Sequence, residues 1–161
     1  MKHHHRDNLA GEHRLSDIGQ LTLYCLFMAL WLSDMFLNYS NFLNAHIPSA
    51  IRLPIGVLLL IIAATMAGSG LMIVFNKKAR PQGVIRRGVF RFVRHPIYLS
   101  EIIMYSGLLI LNISLAAALI SVIAILFLHR ISRYEEKLLL AKFGDEYRLY
   151  MKEVPMWFPR P

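Results

Sequence analysis

One cysteine, Cys25, stands in a chain of 161 residues, inside the first apolar run, so no intrachain disulfide is available. A small apolar packing role is the plainest reading of it. No Cys-x-x-Cys-His occurs and no helix carries paired histidines, spacings that attach haem or hold a metal. Glycine-rich strand-to-helix turns are missing too, which removes the doubly wound nucleotide-binding architecture. Acids are scarce: 10 Asp and Glu against 18 Lys and Arg, a formal charge of +8. Such a balance suits nucleic acid, but the basic residues flank apolar segments and do not alternate with aromatics on an exposed face, so nucleic acid is excluded as a partner. Linkers, repeats and low-complexity stretches are absent, which leaves a single domain over residues 1–161. The opening Met1-Lys2-His3-His4-His5 looks partly like an expression tag and carries no functional weight.

What the chain has is hydrophobicity. At 56% apolar residues and a mean hydropathy of +0.45 it is too apolar, in too clustered a way, for a soluble globule. The pattern predicts an all-α membrane protein with four apolar segments, two of them full spans and two forming a helical hairpin. After a polar N-terminal tail, residues 1–17, Ser16 or Asp17 is placed to cap a span over Ile18 to Leu37. Near its end Asp34 reads as an interfacial acid reaching water. Leu53 to Phe75 is the second span, and its Ala67-Gly68-Ser69-Gly70 stretch suits close helix packing or backbone approach to a ligand. Ile97 to Leu111 and Ile113 to Leu128 each measure roughly 23 Å as helix. That falls short of the ~30 Å hydrocarbon core, which favours a tight hairpin turning at Asn112. Arg130, Arg133, Glu135, Glu136 and Lys137 then interleave with Ile131 and Leu138 to Leu140, the pattern of an interfacial amphipathic helix. A further short helix is expected from Asp145 to Lys152.

Seven cationic residues crowd the loop Asn76 to Arg94, seven more follow His129, and the connections on the other side have essentially none. The positive-inside rule then puts both termini and both polar motifs in the cytoplasm. Those motifs are Arg94-His95-Pro96-Ile97-Tyr98, where proline opens a helix, and Glu135-Glu136. The apolar segment between them crosses most of a bilayer and returns, so the two meet on one membrane face.

At these residues the chain resembles the integral-membrane methyltransferases that include isoprenylcysteine carboxyl methyltransferase and the phospholipid N-methyltransferases. The resemblance runs from about Lys77 to Pro159 through Gly88-Val89-Phe90, Arg94 to Tyr98, Glu135-Glu136 with Leu139, Phe143 to Tyr147, Tyr150, Val154-Pro155 and Pro159. It implies S-adenosylmethionine as methyl donor, with no metal. It also implies a cofactor shell of Gln82, Gly83, Val84, Ile85, Phe90, Arg94, His95, Pro96, Ile97, Tyr98 and Glu135. Isoprenylcysteine enzymes have tyrosine where Phe90 stands. They place a substrate arginine where this chain has Ile131, beside Arg130.

The acceptor sets the remaining demand. A carboxylate acceptor needs a cation to orient it, for which Arg130 is the candidate. An amine or thiol must lose a proton to a base, with Glu136, His129 and His95 available. The partners expected are the bilayer and a lipophilic or lipidated acceptor, entering through a lipid-open wall made by the hairpin and the second span. Small-thiol methylation, haem ligation by His95, His129 and His46, and a non-catalytic scaffold stand as alternatives.

Overall fold

The computed structural model describes residues 14–75 and 83–158. Gln82 and the basic residues Lys77, Lys78 and Arg80 lie outside them, as do the histidines of the N-terminus and Pro159. All regular structure among the described residues is helical: α1 (Arg14–Leu37), α2 (Ser49–Phe75), α3 (Pro96–Leu111), α4 (Leu115–Phe143) and α5 (Asp145–Glu153), with 3₁₀ turns at Phe42–Ala45 and Gly88–Arg91. Ser16–Leu37, Ser49–Phe75 and Leu115–Phe143 are long and apolar enough to cross a membrane, and α3 is a shorter apolar helix. Large apolar side chains face outward along all three, with Phe36 75% and Met72 76% exposed. Lipid is the solvent such a surface fits, and the chain is an integral membrane protein.

The helices pair antiparallel. In α2 and α3 the backbones approach closely at both ends. A Cβ on Gly56 would stand 3.0 Å from the Gly107 carbonyl, and one on Gly70 would stand 2.9 Å from Ile97 Cγ1. Small residues permit this contact in lipid, where packing rather than water expulsion drives association. The α2–α3 part of the expected lipid-open wall is therefore sealed. α1 pairs with α4, the Phe127 ring lying where a side chain on Gly19 would go. Phe27, Trp31, Tyr105, Ala117 and Ala124 close the core where α1, α3 and α4 meet.

Four expectations are corrected. The hairpin's second arm and the amphipathic segment after His129 are not separate: α4 runs unbroken through both for 29 residues, roughly 43 Å. Nothing in that stretch breaks a helix before Gly144, whose φ of +54° and ψ of −126° end it. Ser16 and Asp17 do not cap α1, because the helix starts earlier, at Arg14, and shortens the N-terminal tail accordingly. Asp34 does not reach water. It is fully buried and accepts from the Ser40 backbone at 2.8 Å and from the Ser40 hydroxyl. Around it Asn41 and Asn44 donate to Asn112, and Arg52 bonds Asn44 Oδ1 and the Leu111 carbonyl. These side chains tie the α1–α2 loop to the α3–α4 turn at one end of the bundle. Cys25, expected to be buried, is exposed on α1.

Candidate functional site

At the opposite end, α3 begins where the chain leaves the 3₁₀ turn at Gly88–Arg91. Gly88 adopts φ +57° with Ile73 pressed against the space a Cβ would fill, so glycine is required there. Six residues later the chain docks on the C-terminal segment: Arg94 N–H donates to the Pro155 carbonyl at 2.9 Å and His95 N–H to that of Met156 at 3.3 Å. Pro96 then opens α3 as anticipated.

This docking brings the two polar motifs together. Arg94 Nε and Nη2 both stand 2.8 Å from Glu136 Oε1. Nη1 donates to the carbonyls of Met151 and Val154. His95 Nε2 lies 3.3 Å from the same Glu136 oxygen, and Nδ1 lies 3.6 Å from Glu135 Oε2. Tyr98 donates its phenol proton to Glu135 Oε1, and its ring stacks on His95 at 5.7 Å and 9°. The adjacent acids thus differ. Glu136 is sealed in, its side chain 4% exposed, while that of Glu135 is 15% exposed and the more open.

The segment before Gly88 is held by α5. Val84 N–H donates to Glu146 Oε1 at 3.0 Å, and a Cβ on Gly83 would stand 2.7 Å from that oxygen. Arg86 bonds the Glu146 carbonyl and Glu153, and its guanidinium lies over the Tyr150 ring. Tyr150 donates to the Phe90 carbonyl at 2.6 Å. Burial pushes the Tyr150 phenol up to about 12, against the opposing pull of Arg94 and Arg86. Burial raises Tyr147 as well.

Of the residues singled out from sequence, the fold gathers Arg94, His95, Tyr98, Glu135 and Glu136 into one bonded cluster. Pro96 is fully buried within it, Ile97 packs on Gly70, and Gly83, Val84, Ile85 and Phe90 are half-buried nearby along the chain. The Val84 amide is already engaged, so a ligand would meet its carbonyl or side chain. Arg130 is not part of the cluster. It is exposed, and its five-residue spacing from Glu135 turns it about 140° away around α4. His129 is exposed and meets Trp157 edge-on at 5.4 Å. His46 sits at the other end of the bundle, beside the Phe42–Ala45 turn, so the three histidines do not converge. Within the small-residue stretch, Gly70 is the packing glycine. Gly68 faces open space, with nothing within 4 Å of a Cβ placed on it.

Sequence reasoning passed over two groups. Glu101, in α3, accepts from Tyr105 at 3.0 Å. Trp157 has a buried indole N–H without a partner among the described residues. An acid inside an apolar run was the available signal for the first. The second depends on a tertiary contact that no local pattern shows.

The sequence profile described as phospholipid methyltransferase matches residues 52–146, taking in most of α2, all of α3 and α4, and both polar motifs. The protein-S-isoprenylcysteine O-methyltransferase of Schizosaccharomyces pombe is 31% identical over 88 residues, which is 54% of this chain and 37% of the yeast protein. The chain therefore aligns with little more than a third of that relative's length. No solved structure matches it. With more than half of its residues, including the entire bonded cluster, falling within the profile, this chain belongs to the phospholipid methyltransferase family.

Proposed function

We propose that this protein is an S-adenosylmethionine-dependent methyltransferase acting on a lipophilic acceptor at the cytoplasmic membrane face. The observation that carries the reading is the closure of Arg94-His95-Tyr98 onto Glu135-Glu136, inside the region the family profile covers. When bound, the cofactor supplies a methyl group on a sulfonium, an electrophile that needs alignment more than activation.

The donor set suits it. Glu135 is the more exposed acid, and carboxylate oxygens are the acceptors that a hydroxyl or an ammonium needs. The stacked His95 and Tyr98 rings, with Phe90 nearby, give flat apolar surface for a base. The stretch Gln82 to Ile85 would add backbone contacts. Glu136 and Arg94 have another task in this reading. The guanidinium gives its donors to Glu136 and two carbonyls, and that pair locks α4 to the C-terminal segment and orients His95. They are positioning residues, and the ligand contact falls to Glu135.

The acceptor reading follows from the charges the cluster gathers, two carboxylates against one guanidinium. A carboxylate needs a cation at the site, yet Arg94 is engaged and Arg130 lies on another face of α4. The cluster's surplus is anionic, which suits an amine. A lipid amine headgroup is therefore the favoured acceptor. The name of the yeast relative favours a second reading, a prenylcysteine carboxylate.

Calorimetric titration of detergent-solubilised protein with S-adenosylmethionine and S-adenosylhomocysteine tests the cofactor site. Saturable binding, lost in Glu135→Ala and weakened in Tyr98→Ala, is expected. Folded wild-type protein that binds neither compound would remove the reading.

A further inference from the structure

Glu101 is the single acid of α3 and belongs to neither motif. It sits in an otherwise apolar helix, half-buried, with Oε1 accepting from the Tyr105 phenol at 3.0 Å. Tyr105 itself is 1% exposed. Oε2 receives no hydrogen bond among the described residues and is not sealed from its surroundings. Acids at membrane depth are costly and mark sites of chemistry or binding by default. A purely structural tie to Tyr105 would leave half of this carboxylate's acceptor capacity idle.

The surroundings give the acid a direction. Tyr98, Glu101 and Tyr105 follow one another at i, i+3 and i+7, one stripe of the helix. Across from it α1 presents Ser16, Gln20 and Tyr24 at i, i+4 and i+8. Ser16 and Asp17 neighbour the Tyr98 phenol, Gln20 bonds Ser16 at 3.2 Å, and Tyr24 neighbours Tyr105. Here α1 and α3 run parallel. Further along, Phe27 meets the Tyr105 ring at 4.7 Å and Trp31 donates to the Leu108 carbonyl at 2.8 Å. The α1–α3 seam is polar from the Glu135 end down to Tyr105, about 10 Å below Tyr98, with Glu101 roughly midway. Phe27 and Trp31 close it beyond. Unlike the glycine-packed α2–α3 contact, it has a polar lining and an acid partway down.

We propose that this seam is the headgroup slot for an amine-bearing lipid, with Glu101 as the group that holds the ammonium and removes its proton. The inference rests on the methyl-transfer reading with an amine acceptor. An ammonium nitrogen has no lone pair and cannot attack. One N–H bond breaks, its electron pair stays on nitrogen, and the proton passes to Glu101 Oε2. A charged pair, R–NH3⁺ and carboxylate, becomes a neutral pair, R–NH2 and carboxylic acid. The proton then leaves to water along the polar seam. Glu136 and His95 are poorly placed for this step because they are bonded to each other, and Glu136 is also bonded to Arg94.

The test compares wild type with Glu101→Gln and Tyr105→Phe in detergent. It measures equilibrium binding of short-chain phosphatidylethanolamine and phosphatidylglycerol, affinity for S-adenosylhomocysteine, and methylation of the amine lipid. Wild type is expected to bind the ethanolamine lipid at least tenfold more tightly than the glycerol lipid. Glu101→Gln should abolish that preference and lower kcat/KM for the amine a hundredfold or more, with S-adenosylhomocysteine affinity held within twofold. Tyr105→Phe, which removes the tie and keeps the ring, should show a smaller loss of the same kind. Full amine methylation or retained lipid preference in Glu101→Gln would overturn the assignment and leave the amine reading standing. Equal loss of S-adenosylhomocysteine binding would also overturn it, in favour of a structural role. Wild type that binds S-adenosylhomocysteine but methylates only a prenylcysteine carboxylate would sink the amine reading and this inference together.

Discussion

Arg94 and Glu136, forty-two residues apart in the chain, form a buried pair in which Nε and Nη2 share one carboxylate oxygen at 2.8 Å. Its neighbour Glu135 takes the Tyr98 phenol instead. Two adjacent acids thus differ, one sealed in an ion pair with Arg94 and the other more exposed.

That division predicts opposite outcomes for the same substitution. Glu136→Gln leaves the Arg94 charge buried without its counter-ion and should cost about 3–5 kcal/mol of stability. Glu135→Gln, at the more open position, should cost less than about 1 kcal/mol and weaken cofactor binding tenfold or more. Thermal unfolding in detergent, set beside calorimetric cofactor titration, separates the two. A Glu136→Gln variant as stable as Glu135→Gln would contradict the assignment.

The glycines of α2 offer a second contrast. Gly70→Ala drives a methyl to 2.9 Å from Ile97 at the start of α3 and should cost about 1–3 kcal/mol. Gly68→Ala meets nothing and should change stability by no more than about 0.5 kcal/mol. Cofactor titration of the stable Gly68→Ala protein then shows whether its open face borders the ligand, since affinity falls only if it does.

Tyr150 predicts a pH dependence at the alkaline end. Its folded pKa of about 12 stands above the ordinary value near 10 for tyrosine. A raised pKa contributes stability that is fully present below pH 10 and is lost as pH rises through 12. Unfolding temperature should therefore fall between pH 10 and 12, and less steeply in Tyr150→Phe. That variant should also lose about 1 kcal/mol at neutral pH with the bond to Phe90. Identical slopes for the two proteins would contradict this account.

Asp34 supplies a control at the far end of the bundle. Asp34→Asn replaces an acceptor oxygen with a donor facing the Ser40 amide and should cost about 1–3 kcal/mol. Cofactor affinity of the folded fraction should be unchanged, because the α1–α2 loop shares no contact with the Glu135 cluster. A selective loss of binding without loss of stability would show coupling along the bundle.

Much of this arrangement was legible in local pattern. Apolar run lengths gave the first two membrane-length helices but not the third, α4, and Pro96 gave the start of α3. The hairpin turn at Asn112 and the short helix after Gly144 followed from their breakers. Misreadings arose where two local signals competed. The charges after His129 looked like a new interfacial helix, yet α4 continues through them, since periodicity cannot distinguish a fresh helix from a long one with a polar end. Asp34 looked solvent-bound because its neighbours are polar; those neighbours are its hydrogen-bond partners.

The sequence by itself determined composition, helix content and the residue types of both polar motifs, because hydrophobic run length and helix breakers act over a few residues. Tertiary structure alone decided which acid Arg94 takes, that α2 and α3 close against each other, and that Glu101 faces a polar seam. Each depends on which face of one helix a distant helix covers. That choice is made by side-chain volume and hydrogen-bond satisfaction across the packed bundle, information that no window of sequence contains.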